Sequence, residues 1–265
     1  VYLITSMNAA LYDQYGKNMI SDFRKFAAAD IHLIVIFEGD IVAGEKSDDK
    51  VSLTQLKHPE HERFVQFFGG LHEARGLRIT FKEGSRVNLE WVFTMDAMRF
   101  AFKIFAIDQA LSSMTPMRPF AWIDADIRCL KPFAAADLMT FFPDQHQIMS
   151  YLGRDAFPPE NPYSECGFLG FNPRHPETRN YLNRVKAVYT TGEIFSFIQR
   201  HDCWVWDRTR EEFEARANEF KNISGPAASL DHPFINTGLG KFFDHLKGPA
   251  RKAAGKSNLS DYRIK

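Results

Sequence analysis

The sequence predicts an α/β fold built on a mostly parallel sheet flanked by helices, and three observations carry that expectation. Residues 1–5 (VYLIT) and 31–37 (IHLIVIF) are short, continuously apolar, β-rich runs of the kind found in strands buried on both faces. Between them, residues 13–29 repeat apolar side chains at helical spacing, with Tyr15, Met19, Ile20, Phe23 and Phe26 on one side. A further strand-like run, residues 119–123, stops abruptly in Asp124-Ala125-Asp126. Strand, helix, strand reads as a βαβ unit, and ligands of such sheets sit beyond the carboxyl ends of the strands. That rule directs attention to Ser6-Met7-Asn8 and to Glu38-Gly39-Asp40.

Residues 41–88 are mostly polar, with one helix expected near residues 61–74, and read as a variable excursion. Residues 89–111 are expected to form a long helix, apolar almost all round and therefore buried. Asp96, Arg99 and Lys103 make one polar stripe along it. A long cation on a buried helix needs an anionic partner, either an internal carboxylate such as Asp96 or a bound phosphate. Residues 147–151 and 167–171 read as strands, and residues 176–189, 193–199 and 209–220 as helices. Residues 241–265 turn small and basic and read as a loop-rich tail. The economical organisation is a single domain over residues 1–265, its acceptor half beginning at about residue 131.

Lys plus Arg number 33 against 33 Asp plus Glu, so a general binder of nucleic acid or of anionic membranes is disfavoured. Hydrophobic residues at 45% and charged residues at 25% fit a folded globular chain. The 25 Phe, 4 Trp and 8 Tyr promise a core rich in rings. Cys129, Cys166 and Cys203 are odd in number and form no CxxC, which points to a reducing compartment; with no signal peptide in view, the expectation is cytoplasmic. No run reaches the roughly 18 apolar residues of a membrane span.

The sharpest chemical feature is Asp124-Ala125-Asp126. Two carboxylates this close at a strand end repel one another unless a cation stands between them. Oxygen ligands at this spacing suit Mn²⁺ or Mg²⁺ bridging nucleotide phosphates; the same triplet also occurs as a solvated turn. Near the other end of the chain, His245 could complete such a cation site. Gly248 would permit close backbone approach, while Lys247, Arg251 and Lys252 would neutralise phosphate oxygens. Read alone, that segment is equally a solvated basic face. Asp231-His232-Pro233-Phe234 reads as a polar loop, Cys166 and Cys203 as small packing residues, and Trp204 and Trp206 as sugar-stacking or core rings.

Taken together, the apolar strand ending in Asp-X-Asp and the distal His245-Leu246-Lys247-Gly248 followed by a base resemble the metal-dependent nucleotide-sugar glycosyltransferases of type A fold, in particular the retaining family 8 group that includes glycogenin. Glu165–Phe171 followed by Asn172 is similar to that family's Gly-containing strand ending in Phe-Asn, and His201-Asp202-Cys203 to its acidic acceptor-side motif, usually Asp-Gln. Lys103 stands where the family carries a lysine before the metal strand, across a gap lengthened here by residues 112–118. Arg251 takes the position of the family's later lysine, and the Pro-Trp that usually follows is missing.

The resemblance spans residues 1–251 and implies a single Rossmann-like glycosyltransferase domain with a nucleotide-sugar donor, a uridine diphosphate sugar first among them. It implies Asp124, Asp126 and His245 as ligands of Mn²⁺ (or Mg²⁺), and Lys247, Gly248, Arg251 and Lys252 at the diphosphate. It implies Thr5, Ser6, Asn8 and Glu38 at the nucleoside, with Lys103 at the diphosphate or an early loop; Arg99, read from the polar stripe, is a further candidate contact to a bound phosphate. Asp202, and after it Glu165, are the candidate catalytic carboxylates for an oxocarbenium-like state, and retention follows from the resemblance alone. The acceptor stays open among glycan, protein, lipid-linked sugar and modified nucleic-acid base. A nucleotidyltransferase of related fold is disfavoured because residues 6–12 lack glycine, and an Asp-X-Asp-X-Thr phosphatase because Arg128 replaces the threonine. A non-catalytic nucleotide-sugar binding module is separable by its failure to hydrolyse donor.

Overall fold

The structure, a computed structural model, describes residues 1–82, 86–155 and 163–263. The last two residues of the expected basic tail, and part of the expected polar excursion, fall outside these ranges. β1 (Tyr2–Met7) and β2 (His32–Phe37) run parallel, in register from Tyr2 opposite His32 to Met7 opposite Phe37. Successive β1 side chains feed opposite faces of the sheet: Leu3 packs with the cluster holding Phe23, Val35 and Ile123, Ile4 with that holding Ile34, Phe105 and Trp122. The crossover begins earlier than expected because Asn8 caps it, its Oδ1 accepting the Leu11 N–H at 3.0 Å. One π-helical turn, Tyr12–Gly16, then leads into α1 (Lys17–Phe26), which buries Met19, Ile20 and Phe23.

The supposed excursion contains a strand of the main sheet. β3 (Val51–Gln55) pairs parallel with β2, and only Val51 in it is buried. An edge strand packed this lightly leaves no continuous apolar run to read. α2 (Pro59–Phe68) and an antiparallel hairpin of β4 (Leu77–Lys82) and β5 (Arg86–Trp91) follow. The helix expected over residues 89–111 is therefore shorter. α3 (Ala97–Leu111) starts where the Asp96 Oδ1 accepts the Arg99 N–H at 3.1 Å, and the residues before it belong to the hairpin and a 3₁₀ turn.

β6 (Phe120–Ile123) and β7 (Ile127–Cys129) flank the acidic triplet, and β8 (Gln147–Leu152) and β9 (Glu165–Phe171) come next. α4 (Thr178–Thr190) agrees with expectation, but residues 193–199 hold only the 3₁₀ turn Glu193–Ser196. α5 (Asp202–Glu214) begins seven residues before the helix expected at 209, because the His201 ring accepts the Trp204 N–H. β10 (Glu219–Asn222) takes the end of the expected helix. The tail folds into β11 (Phe243–His245) and α6 (Pro249–Ala254) rather than loop.

The seven-stranded sheet has the order β10-β8-β9-β6-β1-β2-β3, and every neighbouring pair is parallel except those made by β9. The carboxyl ends of β1, β2 and β6 consequently share one edge, which gathers Ser6, Glu38 and Asp124. Trp206, Tyr181, Phe171 and Phe120 fill one face and Phe23, Phe168 and Phe234 the other. Fully burying each such ring is worth about 1.5–3 kcal/mol. Among the described residues, no helix is long and apolar enough to cross a membrane.

Candidate active site

A small antiparallel ribbon brings the two distant motifs together. β11 pairs with β7, His245 opposite Ile127 and Phe243 opposite Cys129, and the Leu246 N–H donates to the Asp126 carbonyl at 2.9 Å. Asp124 and Asp126 lie immediately before β7, so His245 at the end of β11 reaches both. Its Nε2 lies 3.3 Å from Asp126 Oδ1 and 3.7 Å from Asp124 Oδ2. One ligand atom from each of the three residues falls within 4.8 Å of the others. Two carboxylates and an imidazole around so small a space form a donor set that suits Mn²⁺ or Mg²⁺.

Close packing seats the imidazole. A Cβ on Gly167 would stand 2.8 Å from His245 Cε1 and 2.9 Å from Nδ1, so only glycine at this point of β9 leaves the ring its place. Behind the ring lies Glu165, its Oε1 2.9 Å from His245 Nδ1 and its Oε2 accepting the Phe234 N–H at 3.1 Å. His232 approaches the same carboxylate at 2.9 Å through Nδ1 and the His245 carbonyl at 3.0 Å through Nε2. The sequence marks the His232 segment only as a polar loop, because its partner Glu165 lies 67 residues away and leaves no local signal of the contact.

The charges are strongly coupled. Burial tends to raise the Asp126 carboxyl, but His245 and Lys252 outweigh it and hold the group well below the usual range. Asp124 is raised, first by burial and then by its neighbour Asp126, against the pull of Lys103. Burial would lower His245, yet Asp126 and then Glu165 push it up to about 10. Glu165 is driven down despite its burial, by His232 and His245.

Several expected roles change. Glu165, the second choice for catalytic carboxylate, is 5% exposed and spends both oxygens on His232, His245 and the Phe234 amide, so it supports the imidazole from behind. Lys103 was expected at the diphosphate or an early loop; it is buried on α3, 2.5 Å from Asp202 Oδ2 and 3.2 Å from Asp124 Oδ1, and donates to the Cys166 carbonyl. Its partner is a carboxylate, as one alternative held, but not Asp96, which caps α3. Thr5 is fully buried, and Asn8 caps a helix, which commits its side-chain oxygen to the backbone.

Other placements leave side chains at the sheet edge. Ser6 Oγ donates to Glu38 Oε1 at 2.7 Å, joining the ends of β1 and β2. Burial raises the Glu38 carboxyl, opposed by Ser6 and by Arg99. Arg99 is exposed, with its guanidinium over the Phe93 ring. Lys252 Nζ sits 2.7 Å from Asp126 Oδ2 and over the Tyr15 ring. Lys247 is held by Asp231 at 3.2 Å, Arg251 by Asp261, and Gly248 takes the left-handed φ of 89° that starts α6.

Asp202, the first residue of α5, is kept ionised against its burial by Lys103. Cys203, read as a packing residue, also interacts with polar groups: its Sγ donates to Asp202 Oδ1 at 3.6 Å, and a hydrogen bond with Cys166 helps bring it down to about 7. Trp206 is core, while Trp204 lies under Arg208.

No family model matches this chain, and no curated protein matches it either. Among solved structures it is similar to three glycosyltransferases. The apo structure of WbbM, a bifunctional glycosyltransferase, aligns over 94% of this chain with TM-score 0.48 and 11% identity, and the chain spans 46% of that protein's length. Mouse xyloside xylosyltransferase 1, also in apo form, aligns over 84% of this chain and 86% of its own, with TM-score 0.44 and 15% identity. A glycosyltransferase involved in glycosylating the major capsid of PBCV-1 aligns over 96% and 98%, with TM-score 0.48 and 9% identity.

Proposed function

We propose that this chain is a metal-dependent glycosyltransferase of type A fold, moving a sugar from a nucleoside diphosphate donor, a uridine diphosphate sugar first among them, to an acceptor hydroxyl. The observation that carries the reading is the meeting of Asp124, Asp126 and His245 within 4.8 Å at the carboxyl edge of the sheet, with Lys252 beside them. These three side chains would hold Mn²⁺ or Mg²⁺, which supplies charge neutralisation for the donor's diphosphate and for the departing nucleoside diphosphate.

The chain's own residues supply the remainder. Lys252, beside Asp126, would neutralise a phosphate oxygen of the donor, and Lys247 and Arg251 are further candidate cations for the same diphosphate. The Ser6–Glu38 pair, with Arg99 beside it, receives the nucleoside at the ends of β1 and β2. Asp202 stays ionised on Lys103 and offers negative charge to the oxocarbenium-like sugar as the bond to the leaving phosphate breaks. The Asp202–Lys103–Asp124 chain holds that carboxylate at a fixed position relative to the metal ligands. Family 8 resemblance makes retention the expected stereochemistry, to be read from the anomeric configuration of the product.

Thermal shift with a panel of nucleoside diphosphate sugars, with and without Mn²⁺, tests the reading, since a ligand bound to the native state raises apparent stability. The expected shift requires metal and donor together, and Asp126→Ala removes that synergy. Survival of the synergy in Asp126→Ala would refute the metal assignment. Binding without release of nucleoside diphosphate, in the presence of any acceptor or of water, would favour a non-catalytic module.

A further inference from the structure

The buried trio behind the metal ligands admits one consistent arrangement of protons. The His245 carbonyl accepts only, so His232 Nε2, 3.0 Å away, donates to it. The Glu165 carboxylate also accepts only, and the Nδ1 atoms of His232 and His245 both lie 2.9 Å from its Oε1. Both Nδ1 atoms therefore carry hydrogen. Each ring nitrogen of His232 thus faces an acceptor, at a site where His232 and Glu165 are both less than a tenth exposed. His245 donates from Nδ1, which leaves Nε2, between Asp124 and Asp126, as the ring nitrogen that would face a bound cation.

We propose that Glu165 and His232 are positioning residues for the metal centre: through their buried contacts with the ring and carbonyl of His245 they fix its Nδ1–H tautomer and its orientation, so that Nε2 is the ligating atom. This rests on the metal-centre reading above. Outer hydrogen-bond partners of this kind orient ligating histidines and raise their basicity. His232 bridges the Glu165 carboxylate and the His245 carbonyl, and so ties the supporting carboxylate to the backbone of the residue it orients. Gly167 leaves the ring its room, and the Phe234 ring packs against it with centroids 5.1 Å apart.

The test is Mn²⁺ affinity of the full chain, free of other metals, by titration calorimetry with MnCl₂ as the probe. Asp126→Asn, Glu165→Gln and His232→Gln are compared with wild type, and the metal-free melting temperature is recorded for each. The expected result is a loss of about 10- to 100-fold in affinity for Glu165→Gln and for His232→Gln, in chains that melt cooperatively without metal. Wild-type affinity in both variants, with Asp126→Asn impaired, would overturn the positioning role alone. Absence of Mn²⁺ binding by wild type, or undiminished binding by Asp126→Asn, would overturn the metal centre itself. Should either positioning variant fail to fold, long-range ¹H–¹⁵N NMR of the Mg²⁺-loaded wild-type chain decides the matter: hydrogen on His245 Nδ1 supports the proposal, and hydrogen on Nε2 refutes it.

Discussion

Gly167→Ala is the sharpest single-atom perturbation of the site. The new methyl carbon would lie 2.8 Å from His245 Cε1, 2.9 Å from Nδ1 and 3.2 Å from Phe234 Cδ2. β9 cannot retreat, because it pairs on both sides with β6 and β8. The ring must move, and its movement stretches the Glu165 contact or widens the gap to Asp126. Overpacking of this kind costs about 1–3 kcal/mol, which for a chain of this size lowers Tm by roughly 2–12 °C. The effect on metal binding is separable from that loss. At a hundredfold excess over Kd, bound metal stabilises wild type by about 2.7 kcal/mol; if displacement of His245 weakens affinity a hundredfold, the same Mn²⁺ concentration yields about 0.4 kcal/mol. Differential scanning fluorimetry across a Mn²⁺ series measures both quantities. A Gly167→Ala chain with lowered metal-free Tm but an unchanged Mn²⁺-induced shift would refute the view that this glycine seats a ligand.

Further expectations follow from other contacts. Lys103→Met leaves Asp124 and Asp202 without their buried cation, and breaking such a pair costs about 3–5 kcal/mol, readable as a fall in the urea midpoint. A midpoint equal to wild type would show that the ammonium does not hold the two carboxylates. Lys252→Ala is expected to raise the donor KM while leaving the fold intact, since the side chain ends in a solvent-reachable contact with Asp126; an unchanged KM removes Lys252 from the phosphate site. Burial would raise Asp108, but hydrogen bonds from His58 and Lys186 bring it down to about 2. A depressed carboxylate stabilises the fold above its unfolded value near 3.8 and loses that contribution as pH falls toward 2, a difference worth about 2 kcal/mol. The stability deficit of Asp108→Asn, followed by urea denaturation, should therefore be full at pH 5 and shrink as the pH drops below 4; a deficit independent of pH would contradict this account.

Where the chemistry is carried by neighbours in sequence, the chain alone disclosed it. The mostly apolar β1, β2 and β6 announced themselves because strands buried on both faces favour such runs, and Asp124 and Asp126 stand out because two carboxylates one residue apart at a strand end repel one another without a cation. The α/β class followed from that pattern. Edge strand β3 was hidden, since one buried valine makes no periodicity; the start of α3 was missed because its cap Asp96 sits inside a run that continues the helical pattern, and that of α5 because its cap is His201, not one of the usual Ser, Thr, Asp or Asn. What tertiary structure alone decided is how the charges are shared out. Lys103 belongs to Asp124 and Asp202 rather than to a phosphate, and Glu165 belongs to two histidines rather than to a sugar, because β9, α5 and the β7–β11 ribbon converge there. Polar partners tens of residues apart are chosen by packing, and packing leaves no local trace in the order of the residues.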